Sequence, residues 1–170
     1  FKEVFSKRKV LMSYLIPTSR NLETFFRIAC AYIGAGVDIL EIGFPSNIPW
    51  LDGPLIQALH MRAIKNKINP DIVFEATKEI RAEFPDIPLV AMVYFCSINE
   101  YGSQLFVKKG KSSGLDGFLI PDYPAHTDPL GFLALVKKNG MCNILFLSGL
   151  SVSDKNEEEN RIFKTLVSKS

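Results

Sequence analysis

The chain has 170 residues, of which 47% are hydrophobic and 22% charged, and its formal net charge is +2. This balance excludes a disordered segment and predicts one globular domain, and so small a net charge offers no electrostatic case for a nucleic-acid partner. No apolar run reaches the about 18 residues that span a bilayer, and the three scattered cysteines, Cys30, Cys96 and Cys142, lack zinc-ligand spacing and predict a reduced, cytosolic protein without a metal site.

Phe1-Lys2-Glu3 is not a signal peptide and has no initiator Met, so a few residues are expected to precede it. Lys7-Arg8-Lys9 and Lys108-Lys109 read as solvated edges. Residues 10–16, apolar and aromatic-bearing, predict a first strand. Asn21 offers a helix N-cap, and Leu22, Phe25, Phe26, Ala29 and Ile33 recur at helical spacing up to Gly34 and Gly36. Residues 37–42 predict the second strand. Asp52-Gly53-Pro54 opens a helix with Pro54 in its first turn and Leu55, Leu59 and Ala63 as its buried stripe. Asn69-Pro70 opens another, with Val73, Ala76, Ile80 and Phe84 inward. Residues 88–94 predict the third strand, 101–111 a helix and 116–121 the fourth strand. Thr127-Asp128-Pro129 starts a helix that runs to Lys138 and stops at Gly140. Residues 143–147 predict the fifth strand, and 154–169 a last helix with Ile162, Phe163 and Leu166 inward.

Strands apolar on both faces and separated by helices predict a parallel sheet covered by helices, an α/β fold. Gly36-Val37-Asp38-Ile39-Leu40 is echoed by Gly114-Leu115-Asp116-Gly117-Phe118, roughly two βα units later. This Gly-apolar-Asp step into a strand favours a (β/α)8 TIM barrel. The expected domain is residues 1–170, a single barrel domain holding strands one to five and incomplete at the C-terminus. The alternative is an open doubly wound fold of flavodoxin type. That fold carries a phosphate loop after its first strand, whereas Pro17-Thr18-Ser19-Arg20 has no Gly.

Glu41 lies near the C-terminal end of an otherwise apolar strand, the catalytic end of a barrel. A carboxyl desolvated there has a raised pKa and can act as acid or base near neutral pH; the other reading is a Glu paired with a distant cation. Asp52 reads as a polar site group or as a cap before Gly53-Pro54. Asp122, after the fourth strand, reads as a third polar group on that face or as a turn former. Tyr14 and Tyr94 end strands one and three, as pocket walls or as core aromatics with a wet tip. Gly110-Lys111-Ser112-Ser113-Gly114 shares the tail of a P-loop, but Leu105 stands where the motif needs its first Gly. His60 and His126 have no partner at ligand or triad spacing and are expected on a helix flank and in a loop. Trp50, beside Asp52, marks a partner surface or lid if exposed and core if buried.

Several segments together resemble the tryptophan synthase α subunit family. The most specific is Leu40-Glu41-Ile42-Gly43-Phe44-Pro45 followed, without a gap, by Asp52-Gly53-Pro54-Leu55-Ile56-Gln57. Tyr14 with Asn21-Leu22-Glu23-Thr24, Met92-Val93-Tyr94 with Tyr101-Gly102, and the run from Gly117 to Pro124 support it, so the resemblance covers essentially the whole chain. It implies a (β/α)8 barrel that cleaves indole-3-glycerol phosphate to indole and glyceraldehyde 3-phosphate. It implies Glu41 as general acid/base and Asp52 as the partner of the indole N–H. Tyr14, Met92, Tyr94 and Leu119 would wall the indole pocket, with Asp122 beside them. The resemblance further implies no cofactor in this chain and a β-subunit partner that carries pyridoxal phosphate, in an α2β2 assembly. The family's phosphate-binding loops follow strands six to eight, beyond Ser170.

Three loops depart from the family pattern. Ile48 replaces an Asp in Pro45-Ser46-Asn47-Ile48-Pro49, Phe95-Cys96-Ser97 replaces Tyr-Asn-Pro, and Thr18-Ser19-Arg20 replaces Gly-Asp-Pro. In the family these loops face the β subunit, so a divergent or weakly bound partner is expected. Two other functions stay open. An indole-glycerol-phosphate synthase would need a Lys at the end of an early strand, and these strands carry none. A catalytically weakened or regulatory barrel fits the altered loops but not the retention of both Glu41 and Asp52.

Overall fold

A computed structural model describes residues 9–124 and 127–145. Its elements are β1 (Met12–Leu15), α1 (Glu23–Gly34), β2 (Ile39–Gly43), α2 (Pro54–Lys65), α3 (Pro70–Glu83), β3 (Leu89–Met92), α4 (Phe95–Tyr101), α5 (Ser103–Ser112), β4 (Gly117–Leu119), α6 (Phe132–Lys138) and β5 (Cys142–Ile144). The predicted last helix over 154–169, the end of the fifth strand at 146–147, and His126 lie outside the described residues.

All strand pairs are parallel, and the order is β1-β2-β3-β4-β5. A flavodoxin-type sheet would place its second strand at the edge, outside the first. The sequential order is that of a barrel wall. Side chains alternate across it. Leu40, Ile42, Leu89, Ala91 and Phe118 join the helix-facing core, while Ile39, Val90, Met92 and Tyr94 are buried on the other side. Phe44, Phe74, Phe106, Phe118 and Phe132 form a chain of ring contacts between sheet and helices, with centroids 5.1 to 5.9 Å apart. Each fully buried Phe contributes about 1.5–3 kcal/mol.

The Gly-apolar-Asp repeat has a structural reason. Gly36 and Gly114 take φ 94° and 93°, a left-handed turn that a side chain would strain. The Asp that follows then grips the preceding strand twice. The N–H of Asp38 donates to the carbonyl of Leu11, and the N–H of Leu11 donates back to Asp38 Oδ2, both at 2.9 Å. Asp116 and Leu89 repeat this exchange at 2.8 Å. Arg81 adds a clamp at the second copy. Its guanidinium donates to the carbonyls of Phe84, Pro85, Ile87 and Gly114 and to Asp116 Oδ2.

Helix boundaries differ from expectation where the tertiary structure supplies the cap. Asn69 caps α3 directly, its Oδ1 accepting the N–H of Ile72. Asn21 stands one residue further out than expected and accepts the N–H of Glu23. The helix expected over 101–111 is α5, and a further helix, α4, forms before it where no element was expected. Asp122 accepts the N–H of Phe95 at the start of α4, and the ring of Phe95 packs on Tyr123 and Phe132. The helix expected from Thr127 begins at Phe132. Asp128 caps it from a distance, accepting the N–H groups of Leu133 and Ala134 and the hydroxyl of Tyr123.

On α2 the expected stripe holds at Ala63, which is wholly buried, but not at Leu55, which is 75% exposed. His60 is wholly buried in its stead, and Ile56, His60 and Ala63 lie one helical turn apart. No helix among the described residues is long and apolar enough to cross a membrane.

Candidate active site

At the C-terminal end of the sheet lies a cleft of about 330 Å³, walled by Tyr14, Met92, Tyr94 and Leu119 from the strand ends, with Ile56 and Pro121 beside them. Glu41 and Asp52 are its two carboxylates. Register explains the first pairing: Tyr14 and Glu41 are direct partners between β1 and β2. The helix-facing core claims Leu40 and Ile42 on either side of Glu41, so Glu41 turns to the cleft. Two residues on, Gly43 makes room for Tyr14, since a Cβ there would come within 2.7 Å of Tyr14 Cζ.

Burial pushes the Glu41 carboxyl up to about 7, and the negative charge of Asp52 adds to the rise. Among the described residues no Lys or Arg pairs with Glu41. A carboxyl in this state holds or releases a proton near neutral pH.

Asp52 arrives from the loop between β2 and α2. Gly53 is the residue that caps α2, so the Asp52 side chain is not spent on the helix. Its Oδ2 instead accepts the hydroxyl of Tyr94 at 2.9 Å. Tyr94 is wholly buried, and its oxygen also accepts the N–H of Leu51 at 3.1 Å, which ties the loop to the end of β3. His60 Nε2 lies 3.4 Å from the same Oδ2. Burial raises both Tyr14 and Tyr94 well above the ordinary phenol value, with Asp52 adding to each, so both stay protonated donors. The arrangement is an apolar slot with one proton-exchanging carboxyl and one anchored carboxylate facing it.

Comparison with known proteins agrees with this geometry. The family model described as tryptophan synthase alpha chain matches residues 1–164. The chain belongs to that family. A tryptophan synthase alpha chain of Aquifex aeolicus is 42% identical over 125 residues, 73% of this chain and 48% of that protein. One from Petrotoga mobilis is 34% identical over 160 residues, 94% of this chain and 61% of that one. The chain thus spans about half the length of the curated relatives it matches. Among solved structures, the tryptophan synthase subunit alpha of Legionella pneumophila superposes with a TM-score of 0.81 at 25% identity, over 92% of this chain and 58% of that one. A Pyrococcus furiosus structure described as the tryptophan synthase a2b2 complex gives 0.79 at 25% identity, over 92% of this chain and 62% of that one. These neighbours are tryptophan synthase alpha barrels, so the five-stranded wall is part of that α/β barrel fold.

Within this family frame, six of the seven residues singled out in the sequence come together: Tyr14, Glu41, Asp52, Met92, Tyr94 and Leu119. Asp122 does not join them. Its Oδ1 is occupied by the Phe95 N–H, and it serves the start of α4, the turn-forming alternative of the sequence reading. Sequence reasoning missed Leu51, Ile56 and Pro121 on the wall and His60 behind it. Phasing the α2 stripe on Ile56 rather than Leu55 would have found His60. Trp50 is 63% exposed, as is Ile48 in the same loop, and Cys96 is exposed in the first turn of α4. Among the described residues no group of His, Cys, Asp and Glu gathers at metal-binding distances.

Proposed function

We propose that the full-length protein cleaves indole-3-glycerol phosphate to indole and glyceraldehyde 3-phosphate, the α reaction of tryptophan biosynthesis, as a cytosolic enzyme. The observation that carries this reading is the pair Glu41 and Asp52 facing one apolar slot, with Glu41 titrating near neutrality. The slot suits a flat aromatic ring, and the chemistry requires both carboxylates. The ring carbon that bears the glycerol chain must first gain a proton, which leaves a positive charge centred on the ring N–H. Glu41, protonated near pH 7, is the donor. Asp52 faces the ring N–H and stabilises the cation. Loss of the proton from the adjacent glycerol hydroxyl then forms the aldehyde. The carbon–carbon bond breaks, and its electron pair returns to the ring to restore indole. Glu41, now a carboxylate, is the base for that step.

No cofactor takes part in this sequence in the α chain. The partner proposed is a β subunit that carries pyridoxal phosphate, in an α2β2 assembly. Ile48 and Trp50, in the loop that carries Asp52, and Leu55, in the first turn of α2, are exposed apolar side chains that such a partner would cover. With Ile48 in place of the family Asp, that partner is expected to be divergent. Indole release from indole-3-glycerol phosphate, measured on the full-length chain with and without β subunits, tests the reading. Absence of activity under every condition would refute it. Full mutual activation with a standard β subunit would sustain the activity and refute the divergent partner.

A further inference from the structure

His60 is wholly buried on α2, directly behind the cleft. The backbone N–H of Ser46 donates to His60 Nδ1 at 3.0 Å. A donor can meet only a lone pair, so Nδ1 carries no proton and the neutral ring holds its proton on Nε2. That nitrogen lies 3.4 Å from Asp52 Oδ2 and 3.5 Å from the Tyr14 hydroxyl oxygen. The edge of the imidazole packs on Tyr94, with ring centroids 6.1 Å apart, and Tyr94 donates to the same Oδ2. Burial lowers the His60 pKa from its ordinary value, against the opposing pull of Asp52, which agrees with a neutral ring.

We propose that His60 is a positioning residue: fixed as the Nε2–H tautomer by the Ser46 amide, it holds the Asp52 carboxylate at the angle from which it meets the substrate ring. Ser46 and Asp52 bracket the loop between β2 and α2. One imidazole therefore pins both ends of the segment that delivers Asp52. The Tyr94 hydroxyl and His60 Nε2 both meet the same oxygen, Oδ2. The inference rests on the role proposed above for Asp52.

The test uses the full-length protein and has two arms. In the first, nitrogen-15 NMR reads the histidine tautomer at about pH 7, and the signal that disappears in a His60→Gln variant is that of His60. A neutral Nε2–H ring whose Nε2–H resonance moves on Asp52→Asn is expected. An Nδ1–H tautomer, an imidazolium, or a resonance indifferent to Asp52→Asn overturns the proposal. This arm decides even if the protein proves inactive on indole-3-glycerol phosphate, and the tautomer itself is read on the wild type. In the second arm, His60→Gln keeps an amide N–H near the Nε2 position, whereas His60→Asn keeps only the acceptor for Ser46. The Asn variant is expected to lose about 10–100-fold in kcat with KM changed less than about threefold, and the Gln variant to stay within about threefold of wild type. Equal losses in the two variants, or a loss confined to KM, overturn the proposal.

Discussion

At the N-terminal end of the sheet, Asp38 and Asp116 each accept the N–H of the neighbouring strand, and Arg81 closes over Asp116 at 2.6 Å. At the C-terminal end, Glu41 lies in an apolar slot with no Lys or Arg paired to it among the described residues, and Asp52 takes both its donors on one oxygen. The same functional group thus does opposite work at the two ends. Where its oxygens are engaged by backbone and guanidinium, a carboxylate locks strands together. Where burial outruns its partners, its proton becomes available for chemistry, at a cost in stability.

The largest test of this contrast is Glu41→Gln. Gln cannot exchange a proton, so kcat for indole release should fall by about 100- to 10,000-fold with the circular dichroism spectrum unchanged. An active variant would refute the role given to Glu41. Asp52→Asn should lower kcat by about 100-fold or more through loss of the fixed anion. It should also bring the Glu41 midpoint down from about 7, though not to the ordinary value, because burial is the larger cause of its rise. A carbon-13 titration of Glu41 reads that midpoint directly. At the other end, Arg81→Met should cost about 1–3 kcal/mol in denaturant unfolding, because it strips donors from four carbonyls and from Asp116. Its kcat per folded molecule should stay at the wild-type value. A large loss of kcat there would mean that the two ends are coupled.

The smallest effect is on stability against pH. Glu41 has a folded pKa raised from 4.5 to about 7, so the folded state holds the proton more tightly than the unfolded chain. The wild type therefore loses stability as pH rises from 4.5 through about 7, and keeps that loss above it. Glu41→Gln escapes it. Its melting temperature should exceed the wild type in alkaline buffer, and the gap should close as pH falls toward 4.5. A gap independent of pH would remove Glu41 as the cause.

The sequence by itself determined the alternation of strands and helices, because continuous apolar runs such as residues 88–94 and the 3.6-residue stripe of α3 arise from local periodicity. It also determined Glu41 as the anomaly in its strand, and the Gly-apolar-Asp step, which depends on one turn and one neighbouring backbone. Only the tertiary structure decided the rest. The phase of α2, the extra helix α4 and the late start of α6 depend on caps and packing from residues distant in sequence, such as Asp122 for Phe95. Asp122 itself left the cleft for the same reason. His60 was illegible because its partners Ser46 and Asp52 stand 14 and 8 positions away, on a loop whose path no periodicity encodes. Local sequence sets which face of an element is apolar; which polar groups meet across elements is set by the fold that brings them together.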